Sequence, residues 1–236
     1  MIVFNDTALE TVAPVMVEDI RVSPIALNVT ARERPVRFGS DFVRLTGGRR
    51  TVSLTFSVLS ENMELRAQQL QAITDWARTE TEGKLMLPMY PGKFLTCICT
   101  ALPEPSARQW WESKLRLTFS TISDPYWNDT AEKSAACGTA FTVLGSAPPE
   151  MRIVRTLSAA ASSQAYSDGQ NTMTFSTIPA GDLEIDLNYQ TAAVTANNVK
   201  TSIMQYYAFD SKFIIPHTGA MTITGTGTVK WRERWQ

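Results

Sequence analysis

The chain has 236 residues, 44% apolar and 19% charged, with a formal net charge of −1. That composition fits one large or two ordinary globular domains with a real core, and the charge, spread over both halves, offers no block for nucleic acid or a membrane surface. No apolar run approaches the ~18–20 residues needed to span a bilayer. The start, Met1-Ile2-Val3-Phe4-Asn5-Asp6, lacks the basic beginning and apolar centre of a signal peptide, so export by that route is not expected. Cys97 and Cys99 stand two apart on one strand face, where side chains run parallel and are poorly placed to bridge. They read as small apolar fillers, and with Cys137 and the lone His217 they make no plausible zinc set. Synthesis in a reducing cytosol follows.

In chain order, residues 2–4 and 15–22 read as short strands, and Ser23-Pro24 as a turn, because the residue before proline is pushed out of helical geometry. Ile25, Leu27 and Val29 alternate with polar or small residues, the pattern of a half-buried strand. The segment 31–50 is unusual. Arg32, Arg34, Arg37, Arg44, Arg49 and Arg50 lie among apolar residues, with bends marked by Pro35, Gly39, Gly47 and Gly48. One reading is a solvated hairpin at a sheet edge, where charge deters stray pairing. The other is an arm that meets a neighbouring subunit, for which arginine's planar fork is suited. These six arginines are the candidate subunit-interface residues.

The stretch 50–127 organises the rest. Val52, Leu54, Phe56 and Val58 alternate with Thr and Ser, giving a strand over 51–59. A helix is expected over 61–81, capped by Ser60 and stopped by Gly83 in a left-handed conformation. Met63, Ala67, Leu70, Ile73 and Ala77 define its inward face, with Trp76 at the border. A hairpin turns at Pro91-Gly92, and Pro88 predicts that its strand lies at an edge or a bulge. A strand over 114–122, with Leu115, Leu117 and Phe119 inward, ends at Asp124-Pro125-Tyr126-Trp127.

Residues 128–138 are small and polar, so the boundary falls there, giving domains 1–130 and 131–236. Beyond it, short strands are expected at 151–157, 173–178, 183–189, 213–215, 221–224 and 228–235, with turns at 179–182 and Asn197-Asn198 and no helix. Residues 158–168 read as a loop or frayed segment.

Motifs that carry chemistry are sparse. Gly47-Gly48-Arg49-Arg50 lacks the Lys-Ser/Thr of a phosphate loop, and there is no G-x-S-x-G elbow. A Ser–His–Asp mechanism could use only His217, which follows Pro216 and reads as structural or exposed. Glu184 and Asp186 fall on the outward side of an alternating strand, where solvation is expected. Trp110-Trp111, Tyr126-Trp127, Tyr206-Tyr207, Trp231 and Trp235 could stack on sugars, but neighbours on a strand point to opposite faces, so one of each pair is expected in the core. No catalytic, cofactor or metal residue is assigned.

The order of features resembles the distal tail protein (Dit) family of siphophages and related tail-like particles. The likeness is carried by the strand after Arg49-Arg50, the helix with Leu70, Ile73 and Trp76, Leu85-x-Leu87-Pro88, Pro91-Gly92-Lys93, Trp110 and Asp124-Pro125-Tyr126-Trp127. In the second half it is carried by residues 181–186, 213–217, Gly219, Met221, Ile223 and 229–235. The resemblance implies a mainly β protein. Its N-terminal tail-tube-like β-sandwich with one flanking α-helix would close into a hexameric ring, with a C-terminal galectin-like β-sandwich outside. It further implies a non-enzymatic baseplate hub at the virion tail tip, made in the host cytoplasm, without cofactor or membrane. Its partners would be other copies, the tail tube protein and tail-tip or fibre proteins, and DNA would be transient cargo in the lumen. The alternative is a carbohydrate-binding adhesin using the C-terminal sandwich. A hydrolase stands third.

Overall fold

The computed structural model describes the backbone of residues 1–33, 40–103 and 114–236, and the side chains of all of these except 27–33 and 40–47. These residues are mainly β, and they divide into two compact units, Met1–Trp127 with the terminal Gln236, and Asn128–Trp235. No helix among the described residues is long and apolar enough to cross a membrane.

Among its described residues the first unit carries nine strands before the boundary: β1 (Val3–Phe4), β2 (Thr7–Ala8), β3 (Val15–Val22), β4 (Leu27–Glu33), β5 (Ser40–Gly47), β6 (Thr51–Val58), β7 (Gly83–Met86), β8 (Lys93–Ala101) and β9 (Lys114–Ser120). Two helices accompany them, α1 (Leu9–Val12) and α2 (Met63–Ala77). Antiparallel pairing runs β3-β6-β9-β8-β7-β1-β2. Strand β8 turns the corner: Leu95 and Cys97 pair with β7, while Ile98 and Cys99 pair with β9. The alternation read in the sequence holds, since Val52, Leu54, Phe56, Leu115, Leu117 and Phe119 are all buried. Asn5 and Asp6, both at positive φ, close a two-residue turn between Phe4 and Thr7, which needs residues tolerant of that conformation.

Helix α2 departs from expectation in three ways. Its cap is Asn62, whose Oδ1 accepts the Leu65 amide at 2.8 Å, while Ser60 donates to Gln69 instead. It ends at Ala77, so Gly83 does not stop it; Gly83 opens β7, where a Cβ would collide with the Asn5 side chain. Its buried residues are Arg66, Ile73 and Ala77, while Met63 is 70% exposed and Ala67 is exposed. The inward stripe is thus rotated from the one the apolar residues suggested, with Arg66 lying where Ala67 was expected; its aliphatic stem can cover apolar surface. Trp76 ties the helix down by donating from Nε1 to the Thr7 carbonyl at 3.0 Å. It meets Phe4 and Phe119 edge-on, at 5.8 and 6.2 Å between centroids. Replacing Asn62 with alanine is expected to cost about 1 kcal/mol, read as a fall in the thermal midpoint of this unit. Pro88 also differs: β7 lies between β8 and β1, and the proline falls in the turn beyond it, so no ladder bond is lost.

Strand β10 (Trp127–Asp129) contains the division between the units. The second unit continues with β11 (Lys133–Ala136), β12 (Ala140–Val143), β13 (Ala147–Leu157), β14 (Ala161–Ser167), β15 (Thr172–Ile178), β16 (Gly181–Asp186), β17 (Thr191–Ala196), β18 (Val199–Ser202), β19 (Gly219–Thr222) and β20 (Thr228–Trp235). One sheet runs β11-β20-β13-β16-β17-β18, and the ribbons β12–β19 and β14–β15 share its core. Ile153, Ile185, Val194, Val229 and Trp231 from the sheet join Phe141, Tyr166, Phe175 and Met221 from the ribbons there. Pro148 and Pro149 sit at a register shift between β13 and β20, the position a sheet tolerates for residues without an amide hydrogen. Asn197 and Asn198, both at positive φ, make the two-residue turn between β17 and β18.

Residues 158–168 are not a loop: β14 pairs with β15 over most of that span. Residues 213–215 form no strand, and the strand expected over 183–189 ends at Asp186, whose Oδ1 accepts the amides of Asn188 and Tyr189. The one helical feature is a short 3-10 turn at Met204–Tyr206.

Candidate functional site

The described parts of the arginine-rich segment belong to a two-stranded ribbon. β3 and β6 pair through Val22 and Val52, then Ser23 donates its amide to Thr51, Ala26 to Arg49 and Gly48 to Ala26, and the pairing resumes with Leu27 opposite Gly47. β9 leaves β6 at Thr51, opposite Ser120. From there outward, β4 and β5 make a separate two-stranded sheet without a third strand among the described residues. Seven residues of strand extend about 23 Å. The register sets Arg32 opposite Asp41 and Arg44 opposite Thr30, so both arginines lie on one face with Asn28 and Thr46. Leu27, Val29, Ala31, Phe42 and Leu45 lie on the other. A register shift separates the Thr30 and Ala31 pairs, which adds local twist.

Of the six candidate interface residues, Arg32 and Arg44 sit on this ribbon, Arg49 is exposed at its root, and Arg34 and Arg37 lie outside the described residues. Arg50 is a correction. It is only 5% exposed, its guanidinium stands 5.9 Å over the Trp127 ring, and burial pulls its pKa down from the ordinary value. Its backbone is locked to Thr121, which donates its amide to the Arg50 carbonyl and accepts the Arg50 amide on Oγ1. Trp127 in turn meets Tyr90 at a tilt, 4.2 Å between ring centroids. Arg50 therefore belongs to the interior of its own unit and offers nothing to another chain.

The outward side of β3-β6-β9 is wet. A depression of about 330 Å³ there is lined by Glu18, Asp19, Arg21, Ser53, Thr55, Lys114 and Arg116. Its charges answer one another: Lys114 lies 2.9 Å from Glu18, Arg21 lies 2.5 Å from Asp19, and Arg116 donates to Ser53 at 3.0 Å. The Ser57 hydroxyl, then Lys114, hold the Glu18 carboxyl below its usual range. The sequence pattern gave this side as polar but not the pairing, which depends on register.

The second unit has a groove of about 440 Å³ across its main sheet, whose lining includes Val154, Arg155, Asp182, Glu184, Thr228 and Lys230. Here too the charges are engaged. Arg155 donates to Gln164 and Thr226, Asp182 accepts from Thr156, and Glu184 pairs with Lys200 at 2.8 Å. Lys200 chiefly holds the Glu184 carboxyl below its ordinary value. The unfolded chain therefore takes up the proton more readily than the folded one. The pair contributes stability above the unfolded carboxylate's pKa and loses it as pH falls through the lower folded value. Comparing acid unfolding of the native chain with Glu184→Gln should show a small native excess at neutral pH, below about 1 kcal/mol for so exposed a pair, that vanishes in acid.

The other residues singled out for chemistry are dispersed. His217 is exposed, its Nδ1 2.8 Å from the Thr218 carbonyl. Burial pushes the Cys97 thiol far up, away from thiolate reactivity. No group of three or more His, Cys, Asp or Glu that could hold a metal occurs among the described residues. Trp231 stacks on Phe141 in the core, Tyr207 packs between Phe175 and Phe213, and Trp235 donates to Asp129. Trp110 and Trp111 lie outside the described residues. One buried acid escaped notice in the sequence: Glu233 is 1% exposed, 2.6 Å from Lys133, and accepts the Leu144 amide. Its place on the inward side of β20, in line with Val229 and Trp231, was its one available signal.

No protein-family model and no curated protein matches the chain. Solved structures do. The Dit (gp 19.1) protein of phage SPP1, described as a paradigm of the hub adsorption apparatus in phages infecting Gram-positive hosts, aligns with a TM-score of 0.75 at 15% identity. The alignment covers 100% of this chain and 98% of that one. The phage P2 baseplate in its activated conformation aligns with TM-scores of 0.53 in its calcium form and 0.52 in its strontium form. Both are 8% identical, covering 96% of this chain and 92% of theirs. From end to end, the chain has the fold of a phage distal tail hub protein.

Proposed function

We propose that the chain is a structural protein of a phage tail tip: a hub in which six copies close into a ring joining the tail tube to tip or fibre proteins, with DNA passing through the opening. The observation that carries this reading is the likeness to the SPP1 Dit protein, which spans nearly all of both chains rather than one shared domain. In this reading residues 1–130 build the ring and residues 131–236 form a galectin-like sandwich outside it. Closed rings need head-to-tail contacts between two different patches on each subunit. The β4–β5 ribbon supplies one such patch, because it projects past the last strand that could cover it within its own sheet. The net charge of −1 suits a conduit, since a strongly basic lumen would retain DNA. The role asks for no catalysis.

The test is the mass in solution by light scattering. Six chains of 26.2 kDa give about 157 kDa, or a multiple if rings stack. A single-chain mass at every concentration, and with tube and tip proteins present, would overturn the proposal.

A further inference from the structure

The groove on the main sheet of the second unit has no task in a ring built by the first. Leu183, Ile185, Val194 and Val229 turn inward and are buried, so their neighbours along the same strands form the outward side. Register sets that side in two rows. Thr228, Val154 and Glu184 stand side by side on β20, β13 and β16, and Thr156, Asp182 and Thr195 on β13, β16 and β17. The rows cross four strands, about 14 Å, and all six residues line the groove.

Several polar groups there are unspent. Among the described residues, the Lys230 ammonium comes no nearer to a carboxylate than 4.0 Å, at Glu132, within ion-pair reach but too far for a hydrogen bond. Asp182 accepts the Thr156 hydroxyl on Oδ1 alone, and the Thr195 and Thr228 hydroxyls have no partner among the described residues. The main-chain groups beneath are taken up by ladders on both sides of each strand, so the groove offers side chains only.

The balance of the lining decides what it holds. Arg155 and Lys230 answer Asp182 and Glu184, so it carries no net charge. A phosphate calls for an excess of cations. A metal ion calls for converging ligands, and the described residues hold no group of three His, Cys, Asp or Glu that could serve. A peptide docks on a free strand edge or in apolar pockets, whereas the one apolar side chain on the outward rows is Val154. A neutral molecule dense in hydroxyls fits, because each hydroxyl both donates and accepts and so meets carboxylate, ammonium and threonine in turn. The volume of about 440 Å³ lies in the range of small-molecule sites. We propose that the outward face of β20-β13-β16-β17 binds a neutral saccharide through Asp182, Thr195, Thr228 and Lys230.

The full chain, applied to an array of neutral, acidic and phosphorylated oligosaccharides, should be retained on neutral members only. Retention should change little between about 0.1 and 1 M salt, since the ligand has no charge to screen. Asp182→Ala should weaken it roughly tenfold or more and Thr195→Val roughly three- to tenfold, the worth of a charged and of a neutral hydrogen bond. Thr195→Val keeps a β-branched side chain on its strand, so the thermal midpoint stays that of the parent and lost binding is not lost fold. Retention on acidic or phosphorylated members alone, on none, or on neutral members but unchanged in both variants would overturn the proposal. The mass by light scattering is independent of all of these outcomes, so the saccharide site and the ring fail separately.

Discussion

Phe119→Ala is expected to remove about 3–5 kcal/mol from the first unit. Phe119 is fully buried on β9, paired in register with Val52 of β6 and Cys99 of β8. Its ring lies 5.0 Å from Phe4 and 6.2 Å from Trp76, so it joins the sheet, the N-terminal hairpin and α2 at one point. Truncation strips contacts from all three, and the strands around it cannot close the gap without abandoning their ladders. Domains of this size have only about 5–15 kcal/mol in hand. The thermal midpoint should fall by roughly 10–20 °C. Thermal unfolding followed by near-UV circular dichroism checks this; a fall of only a degree or two would show that the three elements do not depend on this ring.

The second large effect concerns assembly rather than stability. Replacing residues 27–47 with an Asn-Gly turn should leave the first unit folded and abolish the proposed ring. The bonds between Ala26 and Arg49 and between Gly48 and Ala26 lie inside the cut, so the β3–β6 pair still closes. The excised ribbon adds no strand to the β3-β6-β9 ladder, so the unfolding midpoint should hold within about 0.5 kcal/mol of the parent, as for surface changes. Mass by light scattering should fall to one chain. A ring that survives the excision would support the plainer view of the segment as a solvated edge hairpin.

What could be read from the sequence follows its physics. In β6 and β9 every second residue is apolar and buried, and a period of two survives any detail of packing. The turns at Asn197-Asn198 and Pro91-Gly92 were equally plain, since few residues tolerate positive φ, which Gly92 shows. The existence of α2 was legible and its orientation was not: scoring apolar residues favoured Met63 and Ala67, whereas Arg66 is the residue buried. β14 was missed because Ala161–Ser167 is built from Ala, Ser and Gln, with Tyr166 its only fully buried side chain. It is a strand because β15 offers a partner, a fact of tertiary structure. The same limit applies to the candidate interface. Arg49 and Arg50 are neighbours in sequence, yet Thr121 and Trp127, more than 70 residues away, draw only Arg50 inside.

The most direct test is where the polypeptide sits on the virus. Gold-labelled antibodies against the chain, applied to intact particles and viewed by electron microscopy, should mark the far end of the tail, at the junction of tube and tip. Label on the capsid, or on no part of the particle, would contradict the account.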